Sequence, residues 1–196
     1  MQTTRFETFF DAIIAIIITV IVLKIPQPAT PTLDAFLHLN SIYMGYLISF
    51  LILFNIWYAN HNLFQIVDDI NNTTVWIYGC MTFVISLLPY FTAWLARDVY
   101  SIPAETMFWL LFMVTHVLNT LAVHIIYESN PYNAELQELN FNSRWNNFPA
   151  IVLIIGFILT YTVYPPGIYV CCLISIILWI LIGRMLRRKV NGNWPL

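Results

Sequence analysis

Six stretches of this chain, 9–25, 42–58, 75–95, 106–127, 148–164 and 168–185, run almost free of charge, and the gaps between them hold proline, asparagine, glycine or charged residues. A helix needs about 20 apolar residues to cross a hydrocarbon layer about 30 Å thick. That layer offers the backbone no water, so a spanning segment must satisfy its own amide groups, as a helix or a closed barrel does. The apolar residues here come in continuous runs rather than in alternation, which selects helices. Composition agrees. Hydrophobic residues make up 60% of the chain and charged residues 9%, whereas a soluble domain carries about 25% charged residues. The expected fold is an all-α membrane protein, a single domain over 1–196 with six transmembrane helices.

The breaks are Ile25-Pro26-Gln27-Pro28, Asp68-Asp69-Ile70-Asn71-Asn72, Arg97-Asp98, the polar run 128–147 and Pro165-Pro166-Gly167. The first stretch reads as a true span and not as a cleaved signal sequence, because Asp11 interrupts its start and no small-residue cleavage site follows. Lysine and arginine collect on the cytoplasmic side of membrane proteins. An even number of spans with both termini inside places Arg5, Arg144, Arg184, Arg187, Arg188 and Lys189 in the cytoplasm and leaves Lys24 and Arg97 outside. The expected location is the cell (plasma) membrane, and the basic tail is expected to anchor to lipid headgroups. Net charge is −2 with no basic block outside that tail, so no nucleic-acid partner is expected.

Arg5, Glu7 and Asp11 precede or enter a first span that is otherwise aliphatic. An ionisable group at membrane depth costs at least about 2.5 kcal/mol, so it faces protein or water. At 100° per residue, Ala12, Ile16, Thr19, Val20 and Leu23 share one stripe of the helix, well away from Glu7 and Asp11. The second span runs back to the same leaflet and brings Trp57, Asn60 and His61 to the depth of Asp11. Asp11 is therefore expected to be tied to the second span through His61 or the Trp57 indole, fixing the rotation of the first.

Arg5-Phe6-Glu7-Thr8-Phe9-Phe10-Asp11, followed by an aliphatic run to Thr19, resembles the first-helix signature of the transmembrane protein 175 potassium channels, the lysosomal and endosomal potassium channels and their bacterial relatives. Trp57-Tyr58-Ala59-Asn60-His61-Asn62-Leu63-Phe64 is similar to the family's second-helix ending, and Leu87-Leu88-Pro89-Tyr90 with Thr92 to its third-helix Leu-Pro-Phe segment. Two departures stand out. The signature serine is Phe10, whose ring donates no hydrogen bond, and Asn62 stands where a second histidine is common.

The resemblance implies a homotetramer whose first helices line a central pore, with Arg5, Asp11, Trp57 and His61 holding those helices. It implies a narrow isoleucine constriction at Ile16 and a hydroxyl one turn on at Thr19, and the stripe adds Val20 and Leu23. Such a pore closes by expelling water. It would prefer potassium because that ion sheds water more readily than sodium, and the chain has no Thr-Val-Gly-Tyr-Gly filter. The expected partners are further copies of the chain and membrane lipid. No cofactor is expected, and no metal beyond permeating potassium.

The fourth span carries Thr115, His116, Asn119, Thr120 and His124. The two histidines lie about 12 Å apart along the axis and cannot clasp one ion, so interhelical hydrogen bonding is expected. Cys80, Cys171 and Cys172 sit in apolar runs and read as buried small hydrophobes. Asp68 and Asp69 read as a solvated turn. No Gly-x-Ser-x-Gly, His-Glu-x-x-His or glycine-rich phosphate loop is present, so an enzyme is not expected. The alternatives to a channel are a proton-coupled secondary transporter using Asp11, His61 and the fourth-span histidines, and a non-conducting membrane assembly.

Overall fold

The computed structural model describes residues 3–67, 69–141, 148–162, 167, 168, 170–175, 177, 178 and 181. These form α1 (Thr3–Leu23), α2 (Leu33–Leu37), α3 (Asn40–Phe64), α4 (Asn72–Ser86), α5 (Leu88–Arg97), α6 (Ile102–Ser129), α7 (Ala134–Phe141) and α8 (Phe148–Thr162). Among the described residues four helices are long and apolar enough to cross a membrane: Thr3–Leu23, Asn40–Phe64, Asn72–Leu95 and Ile102–Ser129. Ala150–Thr162 is apolar but shorter. Residues 169, 176, 179, 180 and 182–185 of the expected sixth span lie outside the described residues, as do Asp68, Pro165, Pro166, and the cations Arg144, Arg184, Arg187, Arg188 and Lys189 used to orient the chain.

The third span is α4 and α5 together, with a break at Leu87. Pro89 causes it, because proline has no amide proton and its ring crowds the carbonyl four residues earlier. The chain tightens through Leu87 N–H to Val84 O at 3.1 Å and Tyr90 N–H to Leu87 O at 3.0 Å, then resumes as helix. At the other end of α4, the Asn71 side chain caps the first turn by accepting from the Thr74 amide at 2.7 Å.

One stripe of α1, Phe6, Phe10, Ile14, Ile17 and Ile21, is buried. Its spacing of three and four residues is that of one helix face. It packs on α3, α4 and α5, while α6 packs on α4, α5 and α8. Small polar residues tie α3 to α5 inside this core. The Thr92 hydroxyl donates to Leu88 O at 2.7 Å, which leaves its oxygen to accept from the Ser49 hydroxyl at 2.7 Å. Cys171 and Cys172 are buried free thiols, as expected, but Cys80 is exposed. Cys80 lies off the face that α4 turns inward, which is formed by Thr74, Tyr78, Met81, Thr82 and Ile85.

Candidate functional site

Residues four apart lie on one side of a helix. Glu7 and Asp11 form such a pair on α1, and Trp57, His61 and Gln65 form such a row at the end of α3. The helices run in opposite directions, so the rows meet head to tail. The Trp57 indole Nε1 donates to Asp11 Oδ1 at 2.8 Å. One turn on, His61 Nδ1 lies 2.8 Å from Glu7 Oε1, and Gln65 Nε2 donates to the same oxygen at 3.2 Å. The His61 ring stacks on Trp57, with centroids 5.2 Å apart and planes 18° apart.

Sequence reasoning offered Asp11 two partners. The structure gives Asp11 the indole and gives His61 to Glu7. Glu7 and Gln65 were missing from the expected set, although each stands one turn from an expected member. Arg5 is exposed and forms no ion pair among the described residues.

Beneath the clasp lies a cluster of four rings. Phe6 and Phe10 each meet Phe64 and Tyr78 edge to face, with centroids 5.4 to 6.0 Å apart. Edge-to-face contacts suit the ring quadrupoles. The Tyr78 hydroxyl, fully buried, donates to Asn60 Oδ1. Asn60 Nδ2 in turn donates to Asn119 Oδ1 at 3.0 Å and to Ile56 O at 2.8 Å. This relay joins α4, α3 and α6 through one buried asparagine. The interhelical bonding expected of the fourth span is thus present at Asn119. His116 lines a cavity of about 80 Å³ with Asn55, Thr115, Asn119 and Cys172, whereas His124 is exposed beside Glu128 at 3.2 Å.

Asn60→Leu is expected to destabilise the protein by about 1–3 kcal/mol, because it leaves the Tyr78 hydroxyl buried without its acceptor. Adding Tyr78→Phe is expected to recover part of that loss, since both partners then become apolar. Unfolding in graded denaturing detergent measures both variants, and a double variant no more stable than Asn60→Leu would contradict the assignment.

The opposite side of α1 carries the predicted stripe. Ile16 is 61% exposed and Leu23 79%; Thr19 is exposed and Val20 half-buried. The Thr19 hydroxyl donates to Ile16 O at 2.7 Å, so its oxygen faces outward as an acceptor. Among the described residues nothing covers Ile16, Thr19 or Leu23, while the polar clasp and the aromatic cluster hold the helix from the other sides.

Residues 5–89 match the model of the family described as the endosomal/lysosomal potassium channel TMEM175. A potassium channel of Chryseobacterium sp. is 22% identical over 193 residues, covering 98% of this chain and 100% of its own length. A potassium channel of Chamaesiphon minutus is 28% identical over 102 residues, covering 49% of this chain and 50% of its own. In fold, the chain is similar to the crystal structure of a lysosomal potassium-selective channel TMEM175 homologue from Chamaesiphon minutus, with a TM-score of 0.76 at 21% identity over 92% of this chain and 98% of that one. The matched segment holds most of α1, the α3 row and Pro89 of the third span, so the likeness to the TMEM175 family is carried by residues 5–89, less than half of the chain.

Proposed function

We propose that this chain is a potassium-permeable, potassium-preferring channel, built as a homotetramer of six-helix subunits whose first helices surround the pore, with Ile16 at the constriction and Thr19, Val20 and Leu23 along the path. One observation carries the reading: α1 is fixed on its inner sides by packing and hydrogen bonds yet, among the described residues, leaves Ile16, Thr19 and Leu23 uncovered. A helix whose only duty was to anchor the chain in lipid would not need a polar clasp setting its rotation. A pore-lining helix does, because a turn of a few tens of degrees would swing Ile16 off the axis. The names of the two relatives point the same way.

Copies around a closed axis would supply the missing cover, each contributing one stripe. The inward Ile16 side chains would form an apolar ring that dehydrates ions and empties of water when narrow. The subunit is expected in the cell membrane with both termini in the cytoplasm.

Purified protein in liposomes is expected to pass potassium down its gradient, faster than sodium and with no coupled ion. Flux that stops when a pH gradient is abolished would replace the channel with a proton-coupled transporter. No flux from protein that keeps its oligomeric size would leave a non-conducting assembly.

A further inference from the structure

The clasp between α1 and α3 also has the makings of a cation site. One ligand atom each from Glu7, Asp11 and His61 lies within 4.8 Å of the others. His61 Nδ1 is shut off from solvent and makes no hydrogen bond, although Glu7 Oε1 is 2.8 Å away. A nitrogen so close to a carboxylate oxygen, yet poorly aligned with it, suits two atoms that share a third partner. Charge gives an independent argument. A protonated His61 offsets one carboxylate, and the second has no cationic partner among the described residues, where the indole and amide donors to the pair are neutral.

We propose that Glu7, Asp11 and His61 bind a divalent transition-metal ion, with Zn²⁺ the best-matched probe, and so staple α1 to α3. One imidazole and two carboxylates are a borderline-soft donor set that suits zinc better than magnesium or calcium. Ligand atoms around a metal at 2.0–2.2 Å stand a little over 3 Å apart, so closing the present spacing asks about 1 Å of side-chain movement. The carboxylates already have orienting neighbours. Trp57 Nε1 holds Asp11 Oδ1, Gln65 Nε2 holds Glu7 Oε1, and the stacked indole fixes the plane of the His61 ring. Such outer partners set a ligand's direction and strengthen binding. The site lies on the side of α1 away from Ile16 and Thr19 and does not depend on the channel reading.

Equilibrium dialysis of the intact protein in detergent against Zn²⁺, counted by mass spectrometry, tests this with no reference to conductance. The exposed pairs His38–Asp34 and His124–Glu128 also offer zinc two ligands each, so His38→Ala/His124→Ala is the background for every measurement. That background is expected to keep one tight Zn²⁺ per chain, and adding Glu7→Gln/His61→Gln is expected to weaken it by more than tenfold. An affinity within threefold of the background would overturn the site. Should the added substitutions prevent folding, X-ray absorption at the zinc edge of the background protein decides: one imidazole and two carboxylates per zinc support the proposal, and a shell of water oxygens alone overturns it.

Discussion

Ile16→Asn is expected to raise potassium flux through liposomes roughly tenfold and to narrow the preference for potassium over sodium. An apolar ring resists ions twice, first by excluding water and then by stripping part of the hydration shell of any ion that enters. An asparagine amide holds water in the constriction and supplies polar atoms to the ion, so both barriers fall. Removing about 1.4 kcal/mol from the higher one multiplies the rate by ten. The comparison variant is Val22→Asn, which puts the same amide on α1 at a residue that is 43% exposed but turned away from Ile16. It is expected to leave flux and ion preference near the starting values. Equal effects from the two variants would mean that a polar group anywhere on α1 perturbs the membrane, and unchanged flux in Ile16→Asn would remove Ile16 from the pore.

The first four spans drawn from hydropathy fall on helices, because a run of uncharged residues has few other fates at membrane depth. Their ends did not. α1 starts at Thr3 and α3 continues to Phe64, each six residues past the hydropathic boundary, because helices continue through the interface, where polar side chains are welcome. The clasp was half legible for the same reason. Asp11, Trp57 and His61 are conspicuous by chemistry, whereas Glu7 and Gln65 look like ordinary interfacial residues until the antiparallel pairing of two rows gives them partners. Asn60 could be placed at the right depth, but its bonds to Tyr78 and Asn119 depend on how α4 and α6 pack, and hydropathy carries no information about which helices become neighbours.

Phe10 is one of the two positions where this sequence departs from the signature it resembles, and the ring has a well-defined environment. The ring is 1% exposed and touches Phe64 and Tyr78 edge to face at 6.0 and 5.6 Å. A serine hydroxyl at this position would be available to bond a neighbour. Here the indole and histidine of α3 meet the two carboxylates of α1 directly, and Phe10 serves the cluster beneath them. Restoring the family residue is therefore expected to harm this protein.

Phe10→Ser deletes a buried ring and brings in a hydroxyl that faces two aromatic side chains, Phe64 and Tyr78. Truncating a buried phenylalanine to a small residue costs about 3–5 kcal/mol through lost contacts and the cavity left behind. The hydroxyl adds a desolvation cost unless it back-bonds to its own helix, as the Thr8 hydroxyl does to Thr4 O at 2.8 Å. Phe10→Leu keeps most of the volume and is expected to cost less than half as much. Because α1 would lose its packing beneath the clasp, Phe10→Ser is also expected to loosen the rotation of that helix and make the Trp57–Asp11 bond intermittent, which near-ultraviolet circular dichroism of the indoles would register as lost signal. Denaturing-detergent unfolding of the two variants beside the unaltered protein measures the stabilities. If Phe10→Ser proved as stable as its parent, the serine would be fitting a polar site that the ring had been covering, and the four-ring cluster would not be what holds α1 in place.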